Sequence, residues 1–128
     1  MTGKYRKPED LVQGSFAAER PACKPESFAG NMKLVEKIEE WAAKKGCTPA
    51  QFAINWVASL SKRPGMPVII PIPGGSRVER VQENLKIVEL TDKDMDEVDA
   101  FLKTYERTGE WLSDHAKAVL DTTSTTEI

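Results

Sequence analysis

The segment VIIPIPGGSRVERVQEN, residues 68–84, is the part of the chain around which the rest is organised. Its β-branched run over residues 68–72 indicates a buried strand, and Gly74-Gly75 allow a sharp turn directly after it. A helical pattern opens at Ser76, and Glu79 stands three residues later, as in a capping box. The segment therefore predicts a strand, a tight turn and the start of a helix.

The predicted helix start carries the features of an anion site. Its free N–H groups lie beside the two glycines and beside Arg77 and Arg80. A helix N-terminus carries about half a positive charge, and an arginine can bind a phosphate through two parallel hydrogen bonds. Junctions of this composition are also common as plain structural turns in α/β proteins, so the spacing alone leaves both interpretations open.

The stretch PIPGGSRVERVQEN closely resembles the segment after the eighth barrel strand of aldo-keto reductases. In that family a Gly-x-Ser-x-x-x-Arg/Gln-x-x-Glu-Asn pattern holds the adenosine 2′-phosphate and the adenine of NADP(H). The resemblance implies a phosphate site of Gly74, Ser76 and Arg80, with Arg77 as a helper, and an adenine site of Glu83 and Asn84. An arginine at the 2′-phosphate implies NADP(H) rather than NAD(H).

Other segments resemble the same family in the matching order. Thr2-Gly3-Lys4-Tyr5 is similar to the loop after the seventh strand, which implies that Lys4 reaches the cofactor's phosphates. Gly46-Cys47-Thr48-Pro49 with the following Ala-x-x-Trp-Val is similar to the helix before the last strand. The motif also resembles that of fungal reductases of pyridoxal and similar aldehydes.

Three helices are predicted from periodicity and capping, over residues 31–45, from Thr48 to about residue 62, and from Thr91 to about residue 105. Trp41 and Trp56 are interpreted as core residues, and residues 6–27 as a loop. The first two helices also permit a helix-turn-helix DNA-binding interpretation, in which Gln51, Asn55 and Ser59 would face the bases. The surrounding charge is not positive, which disfavours that alternative and predicts no nucleic-acid partner.

The composition of the chain limits the classes of function that it can have. The 128 residues have a net charge of −2 and no apolar run of membrane-spanning length, which predicts a globular chain without a membrane partner. Cys23 and Cys47 have no metal-ligand spacing, and no signal peptide is visible, so we expect a cytoplasmic location and no metal. We expect His115 at the surface and the Thr/Ser-rich tail partly disordered.

The resemblance implies an α/β fold, specifically the C-terminal part of a (β/α)₈ barrel, which typically needs about 250 residues. We expect an incomplete, mostly helical barrel with one clear strand over 68–72, a partial reductase domain over 1–105 and an extension over 106–128. The family reduces aldehydes and ketones by hydride transfer from NADPH, using a tyrosine, lysine, aspartate and histidine on earlier strands. Tyr5 and Tyr105 stand in the wrong context to replace that tyrosine.

The sequence therefore favours the C-terminal, NADPH-binding portion of an aldo-keto reductase that is inactive by itself. A non-catalytic short form, which binds a nucleotide or a partner chain, remains the main alternative. DNA binding is the remote one.

Overall fold

The computed structural model of the chain describes residues 5–110, with only the backbone of Phe16. The α-helices of this part are α1 (Phe16–Glu19), α2 (Pro25–Lys44), α3 (Pro49–Ser59), α4 (Val78–Asn84) and α5 (Asp92–Thr104). Short 3₁₀ turns lie at Pro8–Asp10, Pro21–Cys23 and Leu60–Lys62. The described residues divide into two compact units, one over Leu34–Glu106 and the other over Tyr5–Lys33 together with the chain from Arg107.

In the unit that contains Tyr5–Lys33, an asparagine side chain binds residue 108. The Asn31 side-chain amide donates to the carbonyls of Ala22 at 2.9 Å and Thr108 at 2.7 Å, and its oxygen accepts from the Thr108 N–H at 3.1 Å. Gly109 has φ 77°, and a side chain there would lie 2.6 Å from the Ser27 hydroxyl. These contacts bind residues 108 and 109 to a segment almost 80 positions earlier in the chain.

The predicted loop over residues 6–27 is wrong in part. The Ser15 hydroxyl accepts from the Ala18 N–H at 3.3 Å and caps α1, and α2 begins at Pro25 rather than at residue 31. Proline at a first helical position loses no hydrogen bond, because that N–H has no partner within the helix. The early turns of α2 lack the apolar periodicity from which the helix was predicted, so the pattern located only its later part.

The core of the other unit lies between α2, α3 and α5. Trp41 is 4% exposed, its ring stacks on Phe52 with centroids 5.8 Å apart, and it meets the edge of Phe101 at 5.6 Å. Trp56 is partly buried and packs against the same cluster, which confirms the core interpretation of both tryptophans. The buried members of this core are Ile38, Trp41, Ala42, Phe52, Leu90, Met95 and Val98.

Two of the predicted helix starts are confirmed by their caps. The Thr48 hydroxyl accepts from the Gln51 N–H at 3.2 Å, and the Gln51 side chain accepts from the Thr48 N–H at 3.1 Å. Thr91 and Asp94 form the same reciprocal pair at the start of α5. Each box satisfies N–H groups that have no partner within the helix.

The predicted strand over residues 68–72 is not formed, and the described residues contain no β-strand. Val68, Ile70 and Ile72 are exposed, whereas Ile69 and Pro71 are half-buried. A strand exists only through hydrogen bonds to a neighbouring strand, and the described residues provide none. β-branched residues favour extended backbone, and in this part of the chain that backbone has no neighbouring strand with which to pair.

Helix α5 is bound to α2 and to the segment that follows α3 by charged side chains. Glu97 accepts from the Trp41 indole N–H at 2.9 Å and from the Lys44 ammonium at 3.1 Å. Lys45 pairs with Asp94, and Arg63 lies 2.9 Å from Asp99. No helix among residues 5–110 is long and apolar enough to span a membrane.

The pH dependence of the free energy of unfolding tests the role of the Glu97 carboxyl group in this packing. The hydrogen bond from Trp41, and then the one from Lys44, lower its pKa below the ordinary value of 4.5. A carboxyl group whose pKa is lower in the folded state stabilises the fold at pH values above its unfolded-state pKa. That stabilisation is lost as the pH falls through the folded-state pKa. We expect the free energies of unfolding of the wild type and Glu97→Gln to differ most near neutral pH and to converge on acidification.

Urea unfolding of both proteins over a pH series measures this difference directly. Other carboxyl groups titrate equally in the two proteins, so they cancel. Parallel profiles without convergence would show that the charge of Glu97 contributes nothing to folding.

Candidate functional site

The chain turns sharply just before α4. A side chain added at Gly75 would place its Cβ 2.9 Å from the Val81 methyl group, so the backbone passes directly against the helix at this point. Only glycine permits that approach without a shift of its neighbours. Gly75 therefore has a packing role that the motif alone does not reveal, and the chain bends at Ser76-Arg77, directly after the turn predicted at Gly74-Gly75.

The predicted capping box of Ser76 and Glu79 is wrong. Helix α4 begins at Val78, and the N-cap is Arg77, whose backbone is extended at φ −134° and ψ 149°. No side chain caps this helix start. Because the extended residue lies one position after Ser76, the serine hydroxyl is displaced from the N-cap position that the sequence assigned to it.

The two ends of the predicted site meet at Gly74 and Asn84. The Asn84 side-chain amide donates to the Gly74 carbonyl at 3.2 Å across ten residues. Gly74 itself is exposed, and a Cβ added there would have no neighbouring heavy atom within 4 Å. The hydrogen bond therefore closes the segment into a loop whose glycine end remains open to solvent.

Arg80 and Glu83 form an ion pair on the same helix. The Arg80 guanidinium lies 2.7 Å from one Glu83 carboxylate oxygen, and the other oxygen accepts from the Thr48 hydroxyl at 2.9 Å. The Arg80 side chain is 47% exposed. Glu83 thus connects the arginine to the N-terminus of α3.

Three polar residues at helical spacing on α3, which we call the α3 polar stripe, bind the segment 83–88. They are Thr48, Gln51 and Asn55. The Gln51 amide donates to the Glu83 carbonyl at 3.2 Å. The Asn55 amide donates to the Lys86 carbonyl at 3.0 Å, and its oxygen accepts from the Val88 N–H at 3.1 Å. The stripe supplies these backbone groups with partners in place of a sheet or helix.

The polar side chains of α3 are buried or hydrogen-bonded within the protein. Gln51 and Ser59 are buried at 6% and 8% exposure, and Asn55 is bonded to the chain that follows α4. The helix-turn-helix interpretation depended on these three residues facing bases, so its structural basis is removed. The sequence showed the spacing of the stripe, but the partners lie some 30 residues later and no local pattern indicates them.

The remaining predicted site residues are not joined to this network. Ser76 and Arg77 are exposed beside the turn, and Lys4 lies outside the described residues. The predictions for His115 and for the Thr/Ser-rich tail also lie outside them. The described residues contain no group of three or more metal-ligating side chains of the His, Cys, Asp and Glu types. Burial raises the pKa of the Cys47 thiol, which therefore stays protonated at neutral pH.

Comparison with known proteins identifies the family. The sequence model of the Aldo/keto reductase family matches residues 1–103, which is most of the chain.

The chain belongs to the aldo/keto reductase family.

Two yeast relatives are similar to this member of the family. It is 34% identical over 100 residues to the aldo-keto reductase yakc of Schizosaccharomyces pombe, whose name specifies NADP(+), with 77% of this chain and 28% of the relative covered. It is 29% identical over 119 residues to the Saccharomyces cerevisiae protein named "Putative pyridoxal reductase", with 86% of this chain and 34% of the relative covered. The chain thus spans about a third of the length of these relatives. No solved structure matches it.

Removal of the Asn55 amide tests whether the α3 polar stripe holds the segment 83–88. We expect Asn55→Ala to lower the free energy of unfolding by about 1–3 kcal/mol, because the Val88 N–H and the Lys86 carbonyl lose their partner. Hydrogen exchange of the Val88 amide should become faster. Ser76→Ala, at an exposed position, is the matched control and should change the unfolding free energy by less than about 0.5 kcal/mol. Unchanged exchange at Val88 in Asn55→Ala would contradict the assignment.

Proposed function

We propose that residues 74–84 form the part of an NADP(H)-dependent aldo-keto reductase that binds the adenosine 2′-phosphate and the adenine. The complete protein reduces aldehydes or ketones, and the cofactor supplies the hydride. Gly74, Ser76 and Arg80 bind the phosphate with help from Arg77, while Glu83 and Asn84 bind the adenine. Lys4 extends the site toward the other phosphates. The relative named for NADP(+) supports this choice of cofactor.

The observation that carries the proposal is the hydrogen bond from Asn84 to the Gly74 carbonyl. It joins the first and last residues of the motif, so that the groups assigned to one ligand belong to one closed loop. A loop that is already closed loses less conformational freedom when a ligand binds. The α3 polar stripe adds to this effect by fixing the backbone from Glu83 onward.

The Arg80–Glu83 pair suits a site for a charged ligand. An exposed ion pair on one helix contributes only about 0.5 kcal/mol, so a phosphate can replace the carboxylate at little cost. Before a phosphate binds, a Glu83 carboxylate oxygen 2.7 Å from the Arg80 guanidinium orients that group. Release of Glu83 from Arg80 frees carboxylate oxygen for the adenine amino group, and Thr48 continues to hold the other oxygen.

We propose that the reductive chemistry belongs to residues beyond this chain. The tyrosine, lysine, aspartate and histidine that the family uses are expected on earlier strands. Tyr105 stacks on Phe101 with centroids 5.6 Å apart, which is a packing role. We assign residues 1–105 to the partial reductase domain and the rest to an extension whose first residues bind Asn31. Pyridoxal-like aldehydes are a substrate class consistent with the second relative's name.

Arg80→Ala tests the phosphate assignment. We expect the dissociation constant for NADPH to rise about 10- to 100-fold, because a charge-assisted hydrogen bond to the 2′-phosphate contributes about 1.5–3 kcal/mol. The dissociation constant for NADH, which lacks this phosphate, should change less than about threefold on the same reasoning. Fluorescence titration of the 128-residue chain with each cofactor gives both values.

The matched control is Lys93→Ala, which removes the same charge from an exposed position on α5. It should leave the binding of both cofactors unchanged. Equal weakening of NADPH and NADH by Arg80→Ala would refute the role of this arginine at the 2′-phosphate.

A further inference from the structure

One glutamate of the proposed cofactor site is held by a helix that lies outside the motif. The Thr48 hydroxyl, at the N-terminus of α3, lies 2.9 Å from one carboxylate oxygen of Glu83, across 35 residues of sequence. The Gln51 side-chain amide donates to the Glu83 backbone carbonyl at 3.2 Å. The N-terminus of α3 therefore binds both the main chain and the side chain of Glu83.

The direction of the hydrogen bond between Thr48 and Glu83 follows from the other contact of the hydroxyl. The Thr48 oxygen accepts from the Gln51 N–H at 3.2 Å, as the N-cap of α3. An ionised carboxylate only accepts hydrogen bonds, whereas a hydroxyl has one hydrogen to donate. The Thr48 hydroxyl thus donates to Glu83, and its oxygen caps the helix at the same time.

Thr48 is itself held in place by a buried side chain. The Gln51 side-chain oxygen accepts from the Thr48 N–H at 3.1 Å, and Gln51 is 6% exposed. Pro49 occupies the first helical position and restricts the backbone directly after the threonine. Gln51 therefore binds Thr48 through its oxygen and Glu83 through its amide, which keeps these two residues at a fixed separation.

The other carboxylate oxygen of Glu83 has a partner that a ligand can remove. It lies 2.7 Å from the Arg80 guanidinium, which in the proposed function binds the 2′-phosphate. A glutamate side chain is flexible, and ordering it costs conformational entropy. When Arg80 turns to the phosphate, Thr48 still keeps the carboxylate in place, so that this cost is not added to ligand binding.

We propose that Thr48 is a positioning residue that makes the site selective for a base with an exocyclic amino group. Its hydroxyl occupies one oxygen of Glu83 and leaves the other to accept from the amino group of adenine. Hypoxanthine has a carbonyl oxygen in place of that amino group, and two acceptors form no hydrogen bond with each other. A site built to form a hydrogen bond rejects an analogue that lacks the matching group. This inference rests on the proposed binding of adenine by Glu83.

An N-cap without a role in recognition would behave differently. Its loss would destabilise α3 and weaken the binding of all cofactors to the same extent. The ratio of two dissociation constants measured on one protein cancels such a common effect. It also cancels any change in the attraction of the phosphates, provided that both cofactors carry the same phosphates. The ratio for NADPH and its hypoxanthine analogue therefore reports on recognition of the base alone.

Fluorescence titration of the 128-residue chain with NADPH and with its hypoxanthine analogue tests the proposal. We expect the wild type to bind the analogue at least about tenfold more weakly, because a hydrogen bond to a charged group contributes this much. Thr48→Asp keeps a capping oxygen for the Gln51 N–H, but it has no hydrogen to donate and its charge repels Glu83. The ratio of the two dissociation constants should fall below about threefold in this variant.

A second variant removes the hydroxyl without adding a charge. Glycine at an N-cap costs little helix stability compared with threonine, so Thr48→Gly should keep α3 folded and lower the ratio in the same way. Circular dichroism of each variant checks that the helices are retained. Thr48→Ser keeps the hydroxyl and should restore the wild-type ratio. Thr91→Asp makes the matched change at the N-cap of α5 and should also have the wild-type ratio.

The outcomes separate this inference from the cofactor assignment on which it rests. A wild-type ratio of about tenfold that persists in Thr48→Asp or Thr48→Gly would overturn the role of Thr48 and leave the assignment of Glu83 to the adenine intact. Equal binding of NADPH and its hypoxanthine analogue by the wild type would overturn that assignment, and the role of Thr48 with it.

Discussion

The packing of Trp41 is the interaction on which the rest of the larger unit depends. Its ring contacts Phe52 of α3 and Phe101 of α5, and its indole N–H donates to Glu97. One side chain therefore fixes α3 and α5 against α2. Because α3 is fixed, its polar stripe stands at a defined place and binds the backbone from Glu83 to Val88. The candidate cofactor segment is thus positioned by the core rather than by its own sequence.

Features that depend on neighbouring residues could be predicted from the sequence. The caps at Thr48 and Thr91 involve groups three residues apart, and both are confirmed. Features that depend on distant partners could not. The run over 68–72 forms no strand because it has no neighbouring strand, and Ser76 is not the cap because the chain bends at Ser76-Arg77 and the helix begins only at Val78. For the candidate site, sequence identified the motif but not the stripe that holds it.

Membership of the aldo/keto reductase family gives this arrangement a functional context. The matched region covers residues 1–103, and the chain spans about a third of its relatives. The hydrogen bond between Asn84 and Gly74, together with the Arg80–Glu83 pair, supports the proposal that these residues bind an anionic nucleotide.

Thermal unfolding of the 128-residue chain with and without saturating NADPH tests whether residues 74–84 bind the cofactor. A ligand at one hundred times its dissociation constant adds about 2.7 kcal/mol to the folded state of a binder. We predict one cooperative transition whose midpoint rises by several degrees with NADPH and by less with NADH at the same concentration. A cooperative transition that NADPH does not move would show that residues 74–84 do not form a cofactor site in this chain.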